Sequence, residues 1–257
     1  MNKQQKDELL AFVKPGDEIY LNGGDWTATL VDYGQGQIDK TFTAKLTHVV
    51  FVDKDNNISE STIEFGFEKT NKFPFFKVGV LKTGIEITPI ADWAKDDGNC
   101  WPFLIVQRFN GMTQKIIDKA TATAYQHKKD GFFYPIRELV GSLIAYWNFN
   151  IAGWFSKINP EMVAVWQKQI LTRMNPLNSK RAEYCIAYVN DCLKSANFPI
   201  IPDSIEQSIS NLGSGMRRID REYDLHFISH PGVKDYHKNA GEEFDPNCIK
   251  NWKESNI

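Results

Sequence analysis

The chain has 257 residues, with 30 Lys and Arg against 32 Asp and Glu and a formal charge of −2. That length can bury one large core or two small ones, and the balanced charge leaves no basic footprint for nucleic acid. Cysteines at 100, 185, 192 and 248 form no Cys-x-x-Cys pair, so neither a zinc ribbon nor a thioredoxin-like motif is signalled, and reduced thiols are expected.

The first residues, "MNKQQKDELLAFVKPGDEIYL", lack the apolar core and small-residue cleavage site of a secretory signal. A cytoplasmic location is therefore expected. Residues 2–13 carry the spacing of a short helix ended by Pro15-Gly16. "DEIYL" (17–21) alternates as a strand does. "LTHVVFVD" (46–53) and "ISESTIEFGF" (58–67) are β-branched and aromatic runs joined by "KDNN", the pattern of a hairpin. "KVGVLKTGIEITPI" (77–90) predicts a strand pair around Gly84, "IADWAKDD" a short helix, and "WPFLIVQR" (101–108) a buried strand.

From Gly111 the spacing becomes helical, in 112–129, 136–147, 160–174, 180–196 and 203–212. The longest apolar stretch, 139–155, is interrupted by Asn148 and Asn150 and falls short of the roughly 20 residues of a spanning helix. It reads as a buried helix or pocket wall, with membrane contact the minor alternative. Residues 213–257 are polar and of mixed charge, and are expected to form a loosely packed tail or arm. Strands first and helices second predict an α+β fold, with a domain over 1–212 that includes an aromatic-rich helical insert at about 111–180.

Three motif-like stretches are set aside. "DKDNNISESTIE" (53–64) has acidic and amide residues at calcium-loop spacing, but Ile58 stands where the loop needs glycine and strands flank it. "LNGGDW" (21–26) has no Gly-Lys-Ser/Thr continuation and is not a phosphate loop. His226, His230 and His237 lie near Cys248 in sequence, but Pro231 argues against the helix that an i, i+4 metal pair requires. No metal and no cofactor is expected.

His48 is a stronger candidate. Alternation places it with Leu46, Val50 and Val52 on one strand face, while Glu60, Thr62 and Glu64 share a face of the strand that follows. A carboxylate beside an imidazole fixes its tautomer and raises its basicity. Cys185 and Cys192, in "EYCIAYVNDCL", fall on one helical stripe about 10 Å apart, too far for a disulfide. On their own they read as buried helix residues. With an imidazole and a carboxylate at hand, a cysteine at a helix start would complete a set of nucleophile, base and orienting group.

The order "PGDEIYL", "LTHVVFV", "NISESTI", "GIEITPIADW", "FLIVQR" and finally "EYCIAYVNDCL" resembles that of the circularly permuted NlpC-type papain-like proteins, the YaeF/YiiX group. The resemblance covers roughly 15–108 and 181–197. It implies a papain-like antiparallel sheet from the N-terminal half packed on helices from the C-terminal half. It further implies Cys185 as nucleophile, His48 as base and Glu60 as the third polar residue, with Cys192 left to the core. The activity implied is that of a cysteine peptidase, thiol amidase or acyltransferase acting through an acyl-enzyme. Its substrate would be a peptide, a cell-wall peptide or a lipid-like acyl group, and the wall would be met after lysis or phage delivery. Trp147, Trp154 and Trp166 could wall an apolar pocket for such a substrate. The family pattern Cys-Ser-Glu is replaced here by Cys185-Ile186-Ala187, which favours the competing expectation of an inactive papain-like fold used for binding or structure.

Overall fold

The computed structural model describes residues 1–21, 46, 48–69, 76–96, 104–132, 185–200, 219–228 and 235–245, the side chains of 63–69 and 76–83 excepted. The helices expected in 136–147, 160–174 and 203–212 lie outside these residues, as do Cys100, His230, Cys248 and the three tryptophans of the insert. Helix α1 (Lys3–Phe12) opens where the Asn2 side chain accepts the Gln5 N–H at 2.9 Å. It ends before a turn at Gly16, whose φ of +92° and contact with Met112 and Ile117 leave no room for a Cβ.

Among the described residues a single antiparallel sheet forms the centre. Its strands are β1 (Glu18–Leu21), β2 (His48–Val52), β3 (Asn57–Lys69), β4 (Phe76–Pro89), β5 (Leu104–Phe109), β6 (Tyr223–Phe227) and β7 (Tyr236–Lys238). Their spatial order is β4-β3-β2-β1-β5-β6-β7. The fold is thus α+β, as the composition of the two halves predicts. Two cores explain why β1, β2 and β5 are apolar nearly throughout. One face carries Tyr20, Val49, Phe51, Ile105 and Phe109 against helices α3 (Gln114–Lys129) and α4 (Cys185–Ser195). The other carries Ile19, Leu21, Val50, Val52, Leu104 and Val106 against Leu9 of α1 and Ile90 of the short α2 (Ile90–Trp93). A strand between two helical layers buries both of its faces, and each fully buried Val, Leu or Ile contributes about 2 kcal/mol.

The β2–β3 connection is the hairpin turn its sequence predicts. Asp53 Oδ1 accepts the backbone N–H groups of Asp55 and Asn57, both at 2.8 Å, and Asn56 takes φ +57°. Thr121 of α3 accepts the Lys54 N–H at 3.1 Å, tying the turn to the helical layer. Helix α3 itself buries Ile117, Ala120, Thr121 and Ala124, the i, i+3, i+4, i+7 stripe, and ends in His127, Lys128 and Lys129, which suit its dipole.

Three expectations are corrected. The segment around Gly84 is one long strand, not a strand pair. Gly84 takes φ +140° while still paired with Thr62, and a Cβ there would lie 3.1 Å from the Phe132 carbonyl oxygen, so the glycine admits a close backbone approach instead of turning the chain. Leu46 does not share a face with Val50 and Val52. It lies in the core beneath α4 and they lie in the opposite one, so strict alternation fails between 46 and 50. Finally, the stretch expected as a tail supplies β6 and β7. Tyr223, Leu225 and Phe227 are buried in the core beneath α3 and α4, and β6 pairs with β5, so the sheet draws on both ends of the sequence.

Candidate active site

His48 opens β2 and stands opposite Leu21 of β1. Its Nε2 lies 2.7 Å from Oε2 of Glu60, on β3 across the hairpin. With Val52 paired to Ile58 and Phe51 to Ser59, Glu60 falls two residues short of the position facing His48, within reach of it as a diagonal neighbour across the hairpin. The alternative carboxylate, Glu64, lies among the residues whose side chains are not described.

Cys185 is brought in by α4. The residues before it, 133–184, lie outside the description, and α4 is described from the cysteine onward. Its position is fixed one turn further on. Tyr188, wholly buried, shares a 2.5 Å hydrogen bond with Ser59 of β3, the neighbour of Glu60. Val189, Cys192 and Leu193 add apolar burial on the same helix, and Ser195 bonds Thr123 of α3 at 2.6 Å. Cys192 is fully enclosed and Cys185 is 6% exposed, so of the two only Cys185 reaches the surface.

The three side chains form one electrostatic unit. Burial works against a charged imidazole at His48 and is the largest single effect. Hydrogen bonds to Cys185 and Glu60, together with the charges of those two groups, outweigh it and hold the ring up to about 10. Glu60 occupies Nε2 of the ring. His48 is 21% exposed and Glu60 14%. The cluster therefore brings together a cysteine, an imidazole and a carboxylate. All three residues singled out from the sequence meet here.

The other histidine candidates are engaged elsewhere. His226 Nδ1 lies 2.8 Å from Asp235 and its ring stacks on Phe12, and His237 Nδ1 lies 2.7 Å from Asp224. Among the described residues no group of three or more His, Cys, Asp or Glu side chains could hold a metal ion. No described helix is long and apolar enough to cross a membrane. Sequence reasoning missed Tyr20, which shares the core of Cys185, Glu18, which accepts the Tyr20 hydroxyl, and Tyr188, which anchors the helix of Cys185. The signal available for Tyr188 was its place three residues after Cys185, on the same helical stripe.

No family model, no curated protein and no solved structure matches the chain.

Proposed function

We propose that this protein is a thiol hydrolase or acyltransferase of papain-like design, with Cys185 as nucleophile, His48 as base and Glu60 as the group that orients the ring. The observation that carries the reading is the His48–Glu60 contact of 2.7 Å, with Cys185 close enough to the same ring to help hold its proton. An imidazolium beside a cysteine is the counter-charge that a sulfur nucleophile requires.

In the first step the Cys185 sulfur attacks an ester or amide carbonyl. The C–S bond forms as the carbonyl π electrons move to oxygen, and backbone N–H groups at the start of α4 stabilise that oxyanion. His48 then gives its proton to the departing alcohol or amine, leaving an acyl-enzyme. Water, or a second acceptor in a transferase, loses a proton to His48, attacks the thioester and restores the cysteine. Peptides, cell-wall peptides and acyl lipids all offer such a carbonyl.

The test is acyl-enzyme trapping with p-nitrophenyl acetate, read as a burst of nitrophenolate and as acetylation of each cysteine by mass spectrometry. The expected result is a burst with acetyl on Cys185, lost in His48→Ala and slowed about a hundredfold in Glu60→Ala. Acetylation spread over other thiols, or unchanged by removing His48, would refute catalysis and leave the fold as a binding module.

A further inference from the structure

The candidate site leaves the most unusual buried group of the sheet without a task. Glu18, on central strand β1, is wholly buried. Its Oε2 accepts the Tyr20 hydroxyl at 2.9 Å, and its Oε1 has no hydrogen-bond partner. Directly across the β1–β5 ladder stands Gln107, also wholly buried, with neither amide atom hydrogen-bonded. Buried polar atoms are nearly always paired, so three orphans on two facing residues call for a reason.

Their place in the fold supplies one. Tyr20 is wholly buried in the same core as Cys185 and lies within electrostatic reach of it. The next residue, Leu21, pairs with His48. Gln107, Glu18 and Tyr20 thus form a polar group at the centre of the sheet, and its Tyr20 end lies in the same core as Cys185.

We propose that Glu18, acting through Tyr20, is a positioning residue for the Cys185–His48 couple. The proposal rests on the catalytic reading above. Burial pushes the Glu18 carboxyl up to about 8, against the Tyr20 hydrogen bond and with the help of the Asp17 charge. An uncharged acid accepts from Tyr20 on Oε2 and donates from its other oxygen, and rotation of the Gln107 side chain would bring Oε1 of that amide to receive the proton. Once ionised, the carboxylate would place a negative charge beside the Tyr20 hydroxyl, in the core that also holds Cys185, and would disfavour a second negative charge on the sulfur. The His48 proton would then return to the sulfur, which weakens the nucleophile. The titratable groups around the pair are Asp17 just before β1, Tyr223 on β6 and Cys185 on α4, while β2 presents Phe51 opposite Glu18.

The experiment is iodoacetamide labelling of the full chain from about pH 5 to about pH 10, with rates read per cysteine by mass spectrometry. Wild type is compared with His48→Ala, Glu18→Gln, Glu18→Leu and Tyr20→Phe. In the wild type the Cys185 rate should hold up to about pH 7.5 and then fall about threefold with a midpoint near 8. Glu18→Gln, which cannot ionise, should abolish that fall. Glu18→Leu, which cannot hold the Tyr20 hydroxyl, should slow Cys185 about tenfold, with Glu18→Gln restoring the rate. Tyr20→Phe severs the same link without touching the carboxyl, so it keeps the test decisive if the leucine variant does not fold. A Cys185 profile unchanged in Glu18→Gln and Tyr20→Phe, with reactivity still lost in His48→Ala, overturns the positioning role and leaves the catalytic reading standing. Cys185 reactivity that does not depend on His48 overturns both.

Discussion

Replacing Glu18 with Gln should stabilise the protein, and by an amount that grows with pH. The carboxyl is held at about 8 in the folded chain, against the 4.5 of a freely hydrated glutamate once the chain unfolds. Between those values the native state keeps a proton that the unfolded state releases, so the unfolding free energy falls as pH rises. The loss begins above 4.5, follows a slope of about 1.4 kcal/mol per pH unit and levels off above 8. By pH 7 it amounts to about 3 kcal/mol, and by pH 8 and beyond to about 5 kcal/mol. Glutamine has nearly the same shape, cannot ionise, and still offers an oxygen to the Tyr20 hydroxyl 2.9 Å away. Urea denaturation of both proteins at several pH values isolates the effect, since every other titrating group cancels in the difference. That difference should start near its constant offset at about pH 4.5 and widen by about 3 kcal/mol at neutral pH. A gap that stays flat across the range, or wild type gaining on the variant as pH rises, would show that Glu18 ionises normally and that the burial argument is wrong.

Other consequences follow from the same contacts. Glu60→Gln removes the charge that helps raise His48, so Cys185 alkylation at about pH 6.5 should drop about tenfold. The His48 contribution to stability is fully present below 6.5 and lost as pH rises through about 10, and in this variant the loss should move to lower pH, visible in melting temperatures taken across the alkaline range. Asp17→Ala takes the carboxylate from Arg108, whose Nε and Nη2 donate to it at 2.8 and 2.7 Å, and should cost about 3 kcal/mol in denaturant titrations, a loss that would be contradicted by an unchanged midpoint. Gly84→Ala forces a side chain onto φ +140° beside the Phe132 carbonyl and should cost about 2 kcal/mol, with a wild-type melting temperature arguing against the close approach. Tyr188→Phe leaves the Ser59 hydroxyl buried and unpaired. It should cost about 1 kcal/mol and slow Cys185 labelling severalfold, because the helix loses its anchor one turn from the sulfur; normal labelling would separate Tyr188 from the site.

The parts legible in the sequence are those set by local rules. The His48–Glu60 contact could be foreseen because a four-residue turn and period-two alternation leave the two strands little choice of register. Helix α3 announced itself through its helical spacing. Cys185 is different in kind: nothing within "EYCIAYVNDCL" says that this helix packs beneath Ser59, and only the resemblance in motif order pointed there. Glu18 was hidden because a carboxylate reads as a solvent-facing strand position, whereas a sheet covered on both faces has none at its centre. Strand β6 was overlooked because Asp224 and His226 mask the alternation of Tyr223, Leu225 and Phe227, a period-two signal that was present in the chain.

The pairing of β5 with β6 bears on how this chain must come together. More than a hundred residues separate the two partners, and the order β1-β5-β6 places a late segment against the flank of the central strand. During synthesis β5 would emerge with an unmet edge and an apolar run, "LIVQRF", well before Tyr223 leaves the ribosome. Such an edge invites pairing with a neighbouring chain, and long-range closure is slow. Helix α4 also arrives late, so the thiol of Cys185 would meet its imidazole only near the end of translation. Premature termination before β6 would therefore give a product that exposes a sticky strand while already carrying the cysteine, a species suited to aggregation and to the attention of chaperones.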